Sequence, residues 1–416
     1  MGTILYISGP SMNDALGALG RAHRPLFESL GYDYVEANFA KPGADELLER
    51  TLRGQPIEFS YGAVGAGIDL PGRTADGRDV NLWEGNQIPF ISISGDSPAY
   101  FFDRHVAPSP WHACLYCYPE HMDLRRRLRP PPAICGTVPP FPRDVTDRRD
   151  IDFRKKEQGK LLFLKNGNDP EKLVEAWRQA MPAEAFVALA GLASELASSV
   201  ATEIGCDIDA MVMDYFRNAG WDITEYINLR LFFVAQLDDF LRRVKSTMIA
   251  DVLADFPVEI HGFNWEHIDF AKRRAKFVPG GDYTSSRQEI IDSLGIIDMS
   301  PNTQRVPHDR PMRAFGLYTL CITNEQQYFR EYFPESAAFS YRFVKEELRD
   351  KITDVLAHPK RYVELGAAVA EQFRQRCRPE DFAQFMLNTA SYVRLACRGR
   401  PAGLQDFFVW PPLKVR

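Results

Sequence analysis

Ser300-Pro-Asn-Thr-Gln-Arg-Val-Pro-His-Asp-Arg-Pro-Met-Arg-Ala-Phe-Gly-Leu-Tyr-Thr-Leu-Cys-Ile-Thr-Asn324 is the stretch on which the reading of this chain turns. It follows Gly295-Ile-Ile-Asp-Met299, a short apolar run that predicts a buried strand. Pro307 punctuates the loop, His308 and Asp309 suit a helix cap, and Pro311 suits a first helical turn. The helix predicted over about 309–318 carries Arg310 and Arg313 three residues apart, so both point to one side. Leu320-Cys-Ile-Thr-Asn324 predicts the next strand. A strand, a loop, a helix N-terminus and two guanidiniums make an anion site: amide N–H groups and the helix dipole attract phosphate, and arginine grips it bidentately. A structural loop whose arginines pair with nearby carboxylates would show the same pattern.

Working outward, the 416 residues are enough for two domains, and 45% hydrophobic content is enough to give each a core. The formal charge of −6 argues against a dedicated nucleic-acid binder, which would show a basic face. Met-Gly-Thr-Ile-Leu-Tyr-Ile-Ser-Gly at the start lacks the layout of a signal peptide and reads as a first strand, Ile4–Ser8. No window approaches ~18 uninterrupted apolar residues, so no membrane span is expected. Seven scattered cysteines, an odd number, fit reduced thiols and a cytoplasmic location.

Strand-like and helix-like patterns alternate through roughly the first 120 residues of an N-terminal domain placed at 1–150. Ile4–Ser8, Tyr32–Ala37, Ile88–Ser94 and Ala113–Tyr118 are predicted strands, and a helix runs to Leu30. Such alternation implies a parallel, doubly wound sheet, whose ligands lie beyond the carboxyl ends of strands. That rule selects the loops Ser8–Asn13, Asp96–Pro98 and Pro119–His121. Residues 129–157, rich in Pro, Arg and Asp, read as a linker. A strand at Leu161–Lys165 and a helical run from Asp169 to about Phe240 fill a middle segment, 151–245. Alternation resumes over 246–395, with strands at Met248–Leu253, Val258–His261, Ala275–Val278, Ile296–Met299 and Leu320–Thr323. Helical sequence then runs from Lys345 to about Cys397, interrupted at His358-Pro359 and Arg378-Pro379. The tail, 396–416, is expected to dock its aromatics. The fold class is α/β: two Rossmann-like domains and a helical segment between them.

Ile260-His-Gly-Phe-Asn-Trp265, Lys276-Phe-Val-Pro-Gly-Gly-Asp-Tyr283, Ser285-Ser286, Ile296–Ser300, Arg310 and Leu320–Asn324 occur in a distinctive order. In that order the chain resembles the two-domain GT-B glycosyltransferases, most closely the bacterial branch named after spore-maturation glycosyltransferases. Glu346-Glu-Leu348 and Leu356-Ala-His-Pro359 look like the segment that follows the donor site in that branch. The resemblance covers about 246–395 well and the N-terminal half in outline. It implies domains facing across a cleft, with the acceptor on the N-terminal side and a nucleoside diphosphate sugar on the C-terminal side. The family usually has a Glu three residues after the Arg, and a Gly before the strand; here Arg313 and Tyr318 stand there.

On this resemblance Arg310, Arg313 and His308 are expected to meet the diphosphate without a bound metal. Thr323 and Asn324 would hold nucleoside or sugar. Gly262 permits close backbone approach, and Asn264, Trp265 and Ser285 complete the expected donor site. Asp96, after the clearest N-terminal strand, is a candidate general base, with its role as a turn cap as the alternative. Ser11, Asn13 and His105 are candidates for the acceptor side, His105 and His112 being weaker rivals for the base. Gly9-Pro-Ser-Met-Asn13 is not a dinucleotide-binding Gly-x-Gly-x-x-Gly. The His112–His121 run could suggest zinc, but strand alternation sends Cys114 and Cys117 to opposite faces. Asp207-Ile-Asp209 lies amid helical sequence, where Asp serves as a cap. Arg125–Arg129 reads as a solvated face, with peripheral contact to an anionic membrane as its alternative. The expectation is a metal-independent transferase that uses no separate cofactor and acts on a glycan, a lipid-linked saccharide or a protein. A sugar-nucleotide epimerase and a catalytically degenerate scaffold are the competing readings.

Overall fold

The computed structural model describes residues 2–11, 14–73, 77–130, 134–142, 144–200, 206–280 and 286–398. The chain divides into two compact units, Met1–Arg143 with Arg378–Arg416, and Asp144–Cys377.

The first unit is built on β1 (Thr3–Ser8), β2 (Asp33–Asn38), β3 (Ile57–Ala63), β6 (Phe90–Ser94), β7 (His112–Tyr116) and β8 (Cys135–Thr137), with a hairpin of β4 (Pro71–Arg73) and β5 (Asp79–Asn81) beside them. Among the described residues the sheet order is β2-β1-β3-β6-β7-β8, parallel throughout. β1 is covered on both faces, so it reads as a continuous apolar run rather than an alternation. The helix Pro379–Ala396 belongs here. Phe382, Ala383, Met386, Ala390 and Val393 form one buried stripe against Phe27, Tyr61 and Phe141, and Arg394 bonds the carboxylate and carbonyl of Glu58. The expected boundary at 395 therefore moves to 378, because that stripe covers the first sheet.

The second unit carries β9 (Leu161–Leu164), β10 (Glu259–Gly262), β11 (Lys276–Pro279), β12 (Gly295–Ile297), β13 (Leu320–Asn324) and β14 (Ser340–Tyr341). Their order is β11-β10-β9-β12-β13-β14, again parallel. β9, expected as part of a middle segment, pairs with both β10 and β12 at the centre of this sheet. Leu161, Leu162 and Phe163 are correspondingly buried.

The predicted strand Met248–Leu253 is instead the last turns of a 27-residue helix, Ile227–Leu253. Ile249, Ala250, Val252 and Leu253 are all buried, and a mostly apolar run this short reads equally as a core strand; Asp251 between them faces outward and pairs with Lys345. Asp207 caps the helix Ile208–Asn218, and Asp209 holds buried Arg230 through two bonds of 2.6 and 2.7 Å. No helix among the described residues is long and apolar enough to cross a membrane.

Candidate functional site

In the second sheet β10 and β11 lie on one side of β9, and β12, β13 and β14 on the other. The winding reverses between β9 and β12, and at such a point the flanking connections part and leave a crevice at the carboxyl ends. A cavity of about 250 Å³ opens there. Lys165 and Asn166 reach it from the end of β9, Gly262 from β10, Glu289 from the helix Ser286–Asp292, and Arg310 from the helix Asp309–Gly316.

Local chemistry shapes this end of the sheet. Gly262 has φ 145°, and a Cβ on it would lie 2.2 Å from the Lys165 carbonyl oxygen. Only glycine lets β10 end so close to β9. Trp265, 1% exposed, donates its indole N–H to the same carbonyl at 2.8 Å and props the strand end from behind. The Phe263 N–H donates to the Asn166 side chain at 3.0 Å, tying the two loops together.

The charges are organised by Asp298, which follows β12 and is fully buried. Its carboxylate accepts from Arg310 at 3.3 Å and from the Thr323 hydroxyl at 3.3 Å, and His308 Nδ1 lies 3.8 Å away. Burial alone would raise this carboxyl, but the neighbouring His308 and the Arg310 guanidinium hold it below the ordinary value. Burial would likewise lower His308; Asp309, 2.6 Å from Nδ1, and Asp298 outweigh it and raise its pKa, favouring the imidazolium. Lys165 is lowered to about 8, first by burial and then by Arg310 and Arg242. Asp298 is thus the fixed anion that orients Arg310, and Lys165 is a cation crowded by other cations. The crowding of Lys165 favours an incoming anion and Asp298 holds Arg310 in place for it, while Glu289 and Asp309, also in the lining, carry the opposite charge.

Of the residues expected at the donor site, Gly262, Arg310 and Arg313 line the cavity. Arg313 is 7% exposed; it is paired with Asp144 and donates to the Ser286 hydroxyl at 2.8 Å, so much of its charge is already engaged. His308 stands behind Arg310 on Asp298. Thr323 and Asn324 are buried, Thr323 on Asp298 and Asn324 accepting from the Ser300 N–H at 2.7 Å. Trp265 is a prop, and exposed Asn264, at φ 62°, donates to Asn168 at 3.2 Å. Ser285 lies outside the described residues. Sequence reasoning missed Lys165, Asn166, Glu289 and Asp298. The carboxyl-end rule would have found Lys165 had β9 been counted in the sheet.

The first unit reverses its winding between β1 and β3, and a cavity of about 600 Å³ lies there. Ser11 lies near it as a cap, its hydroxyl accepting from the Leu16 N–H at 3.1 Å; Asn13 lies outside the described residues. His105, expected on the acceptor side, is in the packed interior: it is 1% exposed, bonded to the Tyr116 hydroxyl at 3.0 Å, and lowered to about 4 by burial, Arg125 and Arg104. Asp96 is half-buried just beyond β6 and does not line this cavity, whereas Asp69 and Asp103 do.

Residues 239–388 match the family model described as Glycosyl transferase-like. No curated protein matches the chain. Among solved structures it is similar to Anabaena HepE in complex with UDP, at 10% identity over 94% of this chain and 100% of that one, with a TM-score of 0.47. It is also similar to T4 phage BGT in complex with its UDP-glucose substrate, at 7% identity over 93% and 99%, with a TM-score of 0.48. SnogD from Streptomyces nogalater aligns at 10% identity over 94% and 100%, with a TM-score of 0.39.

Proposed function

We propose that this protein is a GT-B glycosyltransferase that moves a sugar from a nucleoside diphosphate sugar to an acceptor hydroxyl. The observation that carries the reading is the polyanion site at the β9–β12 crevice, with Lys165 and Arg310 on its wall and Asp298 behind. The family-model match includes every residue named above as lining this crevice except Lys165 and Asn166. The order of elements from Ile260 to Asn324 supports the spore-maturation branch within that fold.

In the transfer the acceptor oxygen bonds to the anomeric carbon as the bond from that carbon to the diphosphate oxygen breaks. The electron pair leaves with the diphosphate. The hydroxyl proton passes to a carboxylate; Asp69, Asp96 and Asp103 all stand toward the carboxyl ends of the first sheet. Charge therefore grows on the diphosphate, where Arg310 and Lys165 meet it already oriented. One such preorganised donor is worth ~10²–10³ in turnover. These cations take the place of a metal, so turnover persists in EDTA.

The test is incubation with UDP-, GDP- and dTDP-sugars and chromatography of the nucleotide products. Release of free nucleoside diphosphate from one donor, in EDTA as without it, supports the reading. A new sugar nucleotide with no diphosphate released, or no turnover and no binding of any donor, contradicts it.

A further inference from the structure

The guanidinium of Arg313 is held on two sides. Its Nη1 donates to the Ser286 hydroxyl at 2.8 Å, and both residues line the crevice cavity. Its Nε donates to the carboxylate of Asp144, which stands outside that lining. Asp144 is the first residue of the second unit, where the chain arrives from the first. An arginine of the donor site is therefore tied to the segment by which the chain enters this unit.

That segment is stitched down beyond Asp144. The Thr146 N–H donates to the Gly316 carbonyl at 3.3 Å, meeting one of the carbonyls left open at the end of the helix Asp309–Gly316. Arg374 donates to the Thr146 carbonyl at 2.7 Å and to that of Gly316 at 3.4 Å. Arg287, beside Ser286, donates to the Val145 carbonyl at 3.1 Å. Residues 144–146 thus grip the helix that carries Arg310 and Arg313, and the start of the helix Ser286–Asp292 as well.

We propose that Asp144 is a positioning residue of the donor site, and that through it the entering segment and the diphosphate stabilise each other. The inference rests on the glycosyltransferase reading, which supplies the diphosphate. A guanidinium is a planar fork, so bonds at Nε and Nη1 set the plane of Arg313 before any ligand arrives. Arg313 is 7% exposed, and removing one partner of a pair this buried leaves a charge that must find another. The competing carboxylates stand in the same lining: Glu289, and Asp309 four residues earlier on the same helix, the spacing at which such pairs form. An Arg313 released from Asp144 turns to one of them and closes the site to an anion. Asp144 keeps the positive charge on the wall by drawing it from outside. The coupling is reciprocal: a ligand that binds better when Asp144 holds Arg313 favours the held state by the same factor.

The test titrates UDP, GDP, dTDP and inorganic pyrophosphate into the full chain by calorimetry, as wild type, Asp144→Asn, Asp144→Glu and Asp147→Asn. Asp144→Asn weakens nucleotide and pyrophosphate by the same factor, about tenfold, and Asp144→Glu, which returns the charge, recovers most of the loss. Asp147→Asn, which removes an exposed carboxylate paired with Arg149 in the same segment, leaves affinity unchanged. On an Arg313→Gln background Asp144→Asn costs no further affinity. Amide exchange in the wild type gives a second reading, in which pyrophosphate slows exchange at Thr146; this decides the matter should Asp144→Asn fail to fold. Tighter binding by Asp144→Asn would make Asp144 a competitor of the diphosphate and overturn the proposal. Affinity equal to wild type, or exchange at Thr146 indifferent to pyrophosphate, overturns it too. Affinity lost in Arg310→Ala but kept in Asp144→Asn sinks this inference alone, whereas a wild type that binds neither nucleotide nor pyrophosphate sinks it together with the donor reading.

Discussion

Lys165 is placed where its charge is easily lost and easily restored. Burial, Arg310 and Arg242 bring its pKa to about 8, so the ammonium dominates at neutral pH in the free protein. A bound diphosphate favours the charged form and raises that value, so above pH 8 binding must take up a proton. Nucleoside diphosphate affinity therefore falls between neutral pH and ~9, by at most about tenfold per pH unit. Calorimetry across that range checks it, with Lys165→Met as control: the variant binds more weakly and its pH slope is lost. A slope that survives in Lys165→Met belongs to another group. Asp298 is fully buried and acts on its neighbours. Asp298→Asn withdraws the buried charge that raises His308 and orients Arg310, so the His308 imidazole pKa should fall, as read by NMR, and nucleotide affinity should fall with it. An unmoved His308 titration would assign its raised value to Asp309 alone.

Elements explain both what the sequence disclosed and what it hid. The helix Asp309–Gly316 and β13 were legible because Pro307, Pro311 and an apolar run mark their edges. The breaks at His358-Pro359 and Arg378-Pro379 were legible for the same reason: proline starts the helices Pro359–Arg376 and Pro379–Ala396. β3 was missed, and with it the loop that walls the second cavity, because Ile57-Glu-Phe-Ser-Tyr-Gly-Ala63 intersperses polar residues and glycine instead of the continuous apolar run of a buried parallel strand. The end of the helix Ile227–Leu253 was misread because Met248–Leu253 is a short, mostly apolar run, which periodicity alone does not tell from a strand. No local pattern marks Asp298 as an anchor; it gains that role only when β12 and β13 bring it beside Arg310 and Thr323. Gly262 gives the sharpest test at this scale. Gly262→Ala places a methyl against backbone that has no room to move, at a φ that alanine avoids, and should cost about 3 kcal/mol or more of stability. Urea denaturation measures it; a loss under about 1 kcal/mol would show that β9 and β10 part without strain.

At the scale of the molecule, each unit has its own parallel sheet and core, and the helix Pro379–Ala396 belongs to the first of them. A chain ending at Cys377 uncovers Phe27, Tyr61 and Phe141 of the first unit and leaves the core of the second complete. Hydrogen exchange should show protection lost over β1, β3, β6 and β7 and kept over β9, β10 and β12. Uniform loss in both would mean that the units fold as one. The central claim is that the crevice between β9 and β12 binds the diphosphate of a sugar-nucleotide donor through Arg310 and Lys165. Its most direct test is calorimetric titration of UDP, GDP, dTDP and inorganic pyrophosphate into wild type, Arg310→Ala and Lys165→Met. The account predicts that one nucleoside diphosphate binds more tightly than pyrophosphate, and that each substitution weakens both by a similar factor, at least tenfold, with the fold intact by circular dichroism. Equal affinities in wild type and both variants, or no binding by wild type at all, would contradict it.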